Sequence, residues 1–123
     1  MIKDKDMKIL IVVNDAPYGT EKAYNAFRMA MALQKNHEDV KVNIFLLADS
    51  VFCALPNQKI PKGYYNLESM IKSILNKGGE IKLCGGCSQA RAIDEMKLID
   101  GVQLSNMNEF ARWTYEADKI LNF

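Results

Sequence analysis

EIKLCGGCSQARAIDEM, residues Glu80–Met96, reads as a short strand, a Cys-Gly-Gly-Cys turn and a helix that begins at or near Ser88. Ile81, Leu83 and Cys84 form a brief apolar run directly after Gly78-Gly79, the pattern of a buried strand that follows a helix-ending signal. Gly85 and Gly86 allow a tight turn with positive φ and leave backbone N–H groups uncovered, and Ser88 is suited to cap the helix that follows. Cys87 then falls just ahead of the first helical turn. Unpaired N–H groups and the positive end of a helix dipole favour an anion, so either thiol is expected to have a lowered pKa and thiolate character near neutral pH. Sulfur chemistry, if the chain performs any, belongs here.

Upstream of this motif, Leu67, Met70, Ile71, Ile74 and Leu75 repeat at the spacing of one helical face, with Asn66 as cap and Gly78-Gly79 as terminator. Asn57–Tyr65 has a proline, a glycine and two lysines but no period. A loop of about nine residues is long for a compact domain and points to function or to an interface. Val51–Leu55 is a short helical piece cut off by Pro56, with Cys53 expected as a small apolar filler; the alternative is a thiol facing the Cys84 turn. Val40–Ala48 reads as a second strand, followed by a turn capped by Asp49 or Ser50.

Met7–Val13, MKILIVV, has the near-continuous apolar character of a central parallel strand covered on both faces. Asn14–Thr20 breaks it with Pro17 and Gly19, at the carboxyl end of a strand, where open α/β sheets place ligands. Tyr18, Thr20 and Glu21 are therefore candidates to line a site. Their structural alternatives are a core-edge ring, a helix cap and a dipole-complementing carboxylate. Glu21–Asn36 is a helix with a broad apolar surface, and His37 beyond it is read as a solvated residue near the helix C-terminus. Downstream of the motif, Gly101 turns the chain into a short strand at Val102–Leu104. Asn106 and Glu109 form a capping-box pattern, and a final helix spans Met107–Phe123 with Phe110, Trp113, Ala117, Ile120 and Leu121 on one face. Alternation of strands and helices predicts a three-layer α/β/α sandwich around a mostly parallel sheet of about four to five strands.

The 123 residues are 49% hydrophobic and 25% charged, the profile of one compact domain over residues 1–123. Sixteen Lys and Arg against 15 Asp and Glu, a net charge of +1, offer no basic surface for nucleic acid or a membrane. No apolar run approaches the roughly 18 residues of a membrane span, and the opening MIKDKD is too charged for a signal peptide. Three cysteines, two of them in one turn, suit a reducing compartment, so a cytoplasmic protein is expected. One CxxC supplies two metal ligands where a closed zinc site takes four, so no metal is expected. Gly85-Gly86 is too short for a phosphate-binding fingerprint and NDAPYGTEK lacks P-loop spacing, so no nucleotide cofactor is expected either.

Four blocks, in order, carry a resemblance: NDAPYGTEKAYNAFRMA (Asn14–Ala30), GYYNLESMI (Gly63–Ile71), LCGGCSQAR (Leu83–Arg91) and ADKILNF (Ala117–Phe123). Together they resemble the DsrE/DsrF-like family, in particular its YchN-like branch. The resemblance implies an α/β/α fold, a homo-oligomer such as a trimer or hexamer, and a cysteine that carries sulfur as a persulfide between a donor and an acceptor, whether proteins or small sulfane compounds. By position, that cysteine is Cys84, the family's arginine is Arg91, seven residues on, and Cys87 matches the branch's second cysteine. The glycine that commonly follows the arginine is Ala92 here. If Ala92 is helical, the change costs little. Three functions follow: a sulfur carrier or sulfurtransferase using Cys84, with Cys87 resolving; a Cys84–Cys87 dithiol-disulfide module; and a non-catalytic assembly subunit.

Overall fold

The computed structural model describes residues 6–123; residues 1–5, which contribute most of the charged opening, lie outside it. In chain order the elements are β1 (Met7–Val13), α1 (Lys22–Asn36), β2 (Val40–Leu46), a 3-10 helix (Ala48–Ala54), α2 (Leu67–Asn76), β3 (Glu80–Cys84), α3 (Gly85–Ala90), β4 (Gln103–Ser105), α4 (Met107–Glu116) and β5 (Lys119–Asn122). The five strands form one sheet in the order β4-β3-β2-β1-β5. Every pairing in it is parallel.

Two-residue alternation along the strands sorts the apolar residues between the two faces. Ile9, Ile11, Val13, Ile44, Leu46 and Leu83 meet Ala26, Phe27 and Ala30 of α1 and Ile71 and Ile74 of α2, forming the larger core. Leu10, Val12 and Phe45 point to the other face and pack with Trp113 of α4. Phe45 stacks on Phe110 at 4.6 Å between centroids and meets Trp113 edge-on at 6.1 Å. Each fully buried Leu, Ile or Phe contributes roughly 1.5–3 kcal/mol through removal from water. With helices on both faces, β1 has to be apolar along its buried length, as Ile9–Val13 is.

Asn66 caps α2 by accepting the Ser69 N–H at 3.2 Å, as its position implies. Asn106 caps α4 through the Glu109 N–H at 2.9 Å, but the reciprocal half of the box does not form. The Glu109 carboxylate pairs with Lys82 at 2.7 Å and with Arg112 instead.

The C-terminal expectation fails in an instructive way. The helix begun at Met107 stops at Glu116, Ala117 is extended, and Lys119–Asn122 becomes β5. Leu10 pairs with Ile120 and Ile11 with Leu121. Asp118 binds Lys8 twice, accepting the Lys8 N–H on its carboxylate and donating its own N–H to the Lys8 carbonyl, both at 2.8 Å. Without β5, the outer edge of a mostly buried strand would hold unpaired N–H and C=O groups, and satisfying them outweighs about two more turns of helix. Among the described residues no helix is long and apolar enough to cross a membrane.

Candidate functional site

The thiol turn is built where β3 ends. Cys84 lies opposite Ser105 of β4, and the next residue passes so close that a Cβ at Gly85 would sit 2.8 Å from the Ser105 carbonyl oxygen. Room, not positive φ, is why glycine stands there. Neither Gly85 nor Gly86 adopts a left-handed conformation; both open α3, three residues earlier than the sequence suggests. The cap is Cys84 itself, its Sγ accepting the Cys87 N–H at 3.2 Å. Ser88, expected to cap, is buried inside the helix and donates its hydroxyl to the Cys84 carbonyl at 2.7 Å. Cys87 therefore lies within the first turn, not ahead of it. Its Sγ accepts the N–H of Ala48 at 3.3 Å, and Ala48 is held at φ 51°.

Arg91 closes the back of this turn. Its Nε donates to the Asp49 carboxylate at 2.9 Å and its Nη1 to the Cys87 carbonyl at 3.1 Å. The partly exposed ion pair contributes about 0–1 kcal/mol, so Arg91 serves chiefly to fix α3 against the 3-10 helix. The helix ends at Ala90, and Ala92 is left-handed at φ 58°, with Ile93 N–H reaching back to the Ser88 carbonyl at 3.0 Å. Ala92 is thus not a helical alanine. It occupies the αL position that glycine fills at no steric cost, and side chains other than glycine are disfavoured there by roughly 1–2 kcal/mol.

The expectation of a lowered pKa also fails for Cys84. Burial against both hydrophobic clusters raises its thiol above the ordinary value, and hydrogen bonding with the Cys87 thiol raises it further. The Cys87 and Gly86 N–H groups pull the other way without prevailing. A short helix supplies too little dipole to offset desolvation of a half-buried sulfur. Cys53 is sealed in the larger core and its pKa is pushed up to about 12 by burial. It is the apolar filler its surroundings imply. His37 ends α1 in solvent, and among the described residues no three His, Cys, Asp or Glu side chains gather to hold a metal ion.

The other predicted site residues assemble at the end of β1. Tyr18 donates its hydroxyl to the Tyr65 carbonyl at 3.1 Å and accepts the Leu67 N–H at 3.4 Å. Thr20 donates to Asp15 at 2.8 Å and accepts the Lys22 N–H at 3.3 Å, while Glu21 takes the N-cap position with no capping hydrogen bond. Thr20, Glu21, Tyr64 and Tyr65 wall a cavity of about 330 Å³ together with Gly19 and Gly63, and neither Cys84 nor Cys87 is in that wall. The candidates thus form two groups. Sequence reasoning missed Ala48 and Asp49 as partners of the thiol turn and Tyr24, Tyr64 and Tyr65 as partners of Tyr18. The long loop ending at Tyr65 was the available signal for the tyrosines; Ala48 had none.

A parallel α/β sandwich whose third strand closes on one thiol, with a second thiol one helical turn on, defines a class of small thiol-bearing α/β proteins. The chain belongs to the DsrE/DsrF-like family, whose model matches residues 7–123. It is similar to protein YchN of Escherichia coli, 40% identical over 116 residues that cover 94% of this chain and 98% of that protein. An uncharacterized protein of Methanocaldococcus jannaschii is 35% identical over 117 residues, covering 95% of this chain and 100% of the relative. The crystal structure of YchN superposes with a TM-score of 0.90 at 39% identity, over 95% of this chain and 99% of that one.

Proposed function

We propose that the protein carries sulfur, holding a persulfide on Cys84 within a relay between a sulfane donor and an acceptor thiol. The observation that supports this most is the sulfur at the end of β3 in a DsrE/DsrF-like chain, with its Sγ accepting the Cys87 N–H and a second thiol in the first turn of the helix it caps. In the loading step Cys84 loses its proton and attacks the outer sulfur of the donor. A Cys84–sulfur bond forms, the donor's S–S bond breaks, and the donor leaves as a thiol. The extra sulfur, a stronger acid than the parent thiol, would then stand as an anion near the Gly86 and Cys87 N–H groups. An acceptor thiol can take that outer sulfur directly. Alternatively, Cys87 attacks Cys84 Sγ, forming the Cys84–Cys87 disulfide and releasing hydrogen sulfide, after which a dithiol reductant restores both thiols.

Intact mass after incubation with a polysulfide donor tests the proposal. Wild type should gain one sulfur atom, Cys84→Ser none, and Cys87→Ser should hold the added sulfur longer than wild type. No gain on wild type, or an equal gain on Cys84→Ser, overturns it. The placement of both thiols around one helix cap also favours a second reading, a dithiol-disulfide module; reversible oxidation in a redox titration without sulfur uptake would select it. Half-exposed Ile120 and Met107 on the α4–β5 side support assembly of several copies, a trimer or hexamer being the proposed form. Light scattering in solution checks it. Three free thiols fit a reducing, cytoplasmic setting for such a relay.

A further inference from the structure

The cavity at the end of β1 has a composition the thiol turn does not explain. Of the described residues in its wall, only Glu21 carries charge, and the largest surfaces are the rings of Tyr64 and Tyr65, whose centroids lie 6.0 Å apart at 33°. Tyr18 backs both, at 6.2 Å from Tyr64 and 5.7 Å from Tyr65. Two of the hydroxyls in its wall are already engaged: Thr20 donates to Asp15 at 2.8 Å, and Tyr65 donates to the Thr20 carbonyl at 3.3 Å. What remains in the wall is chiefly ring surface, the Tyr64 hydroxyl and one carboxylate. Gly19 and Gly63 both have positive φ, at 120° and 86°, and a Cβ on either would meet nothing within 4 Å, so the backbone leaves the space open.

Aromatic faces carry negative electrostatic potential and attract cations within about 6 Å of the ring centroid. The cluster already holds one such group on its far side. Tyr24 stacks on Tyr65 at 3.7 Å and receives the Arg28 guanidinium at 5.2 Å from its own centroid. We propose that the cavity between the Tyr64–Tyr65 rings and the Glu21 carboxylate is a binding site for a small organic ammonium ion. The rings take its alkyl and cationic surface and Glu21 supplies the counter-charge. A volume of about 330 Å³ admits a compact amine and excludes a folded domain. The site shares no residue with the thiol turn, so it stands whether or not Cys84 carries sulfur.

Calorimetric titration of the full chain with choline, with n-butylammonium and with 3,3-dimethyl-1-butanol, the uncharged carbon isostere of choline, tests this. At least one of the two cations should bind saturably, at a dissociation constant on the order of millimolar. Glu21→Gln and Tyr64→Ala, both at exposed positions, should each weaken it roughly fivefold or more, the size of one lost ion-pairing or cation–ring contact. Tighter choline binding would identify an alkylated ammonium, tighter butylammonium binding a primary amine. Absence of saturation by both cations, equal binding of the neutral alcohol by wild type, or undiminished binding by either folded variant overturns the proposal. The alcohol comparison needs no variant at all.

Discussion

β1 and β3 end at the same edge of the same sheet, and the chain leaves them in opposite ways. After β1 it runs through Pro17 and a left-handed Gly19 into a loop locked by tyrosine hydroxyls, and no thiol borders the cavity that results. After β3 it enters a helix at once, because Cys84 caps it and the helical Gly85 lets it pass β4. One ending places ring surface and a carboxylate around open space; the other places two sulfurs against backbone N–H groups. Equivalent positions in a parallel sheet thus take their chemistry from how the chain turns, and the turn depends on what each glycine has to do.

The sharpest break in that contrast is Gly85→Ala set beside Gly86→Ala. The first drives a Cβ to 2.8 Å from the Ser105 carbonyl, a backbone atom that can yield only by disturbing the β3–β4 pairing. We expect a loss of about 2–3 kcal/mol in urea unfolding, the scale of overpacking. The second meets nothing within 4 Å and lies in a helix, so it should be neutral or stabilising by up to ~1 kcal/mol. Equal losses would disprove the close-passage role of Gly85.

The thiols of the two regions should separate by pH. Cys53, which walls a second cavity beside Tyr18, has a folded pKa raised to about 12, so the folded state holds its proton more tightly than the unfolded chain. Its contribution is complete below the ordinary value of 9.0 and is lost as pH rises from there towards 12. Wild type should therefore lose stability between those limits more steeply than Cys53→Ala, by up to about 1.4 kcal/mol per pH unit. Parallel slopes would contradict it. In native alkylation, Cys53 should stay unreacted while labelling of Cys84 still rises beyond its ordinary pKa; a plateau below neutrality would show Cys84 to be the stable thiolate its position first suggests.

Tyr18→Phe removes the donor to the Tyr65 carbonyl and the acceptor for the Leu67 N–H, and should cost about 1 kcal/mol in thermal or urea unfolding. The smallest change expected is a gain. Ala92→Gly relieves a left-handed alanine, and after the extra freedom glycine gives the unfolded chain, a net stabilisation of roughly 0.5–1 kcal/mol should remain. A loss of stability would mean that the Ala92 methyl makes a contact worth more than its strain.

Much of this was legible in residue order. The apolar run of β1, the face of α2 with its Asn66 cap, and the glycine pair before β3 each follow from local propensity or from a period that survives in isolation. The same holds for locating the thiols between a strand and a helix. Three features were not legible, because each depends on a neighbour distant in sequence. The segment after Ala117 has a helical apolar spacing, yet the open edge of β1 recruits it as a strand. Gly85 looks like a turn glycine, yet it is a helical residue with no room for a side chain beside β4. Cys84 has the local signature of an activated thiol, yet packing against both hydrophobic clusters raises its pKa.

Taken by themselves, then, the residues determined an alternating α/β chain, its principal core and the position of a Cys-x-x-Cys pair at a strand end, since all three rest on short-range periodicity and turn chemistry. Tertiary structure alone decided the fifth strand, the division of candidate site residues into a thiol turn and a tyrosine-walled cavity, and the upward direction of the Cys84 pKa. Strand-edge pairing, ring stacking and desolvation are set by which distant residues arrive beside one another, and no window of sequence contains that distance.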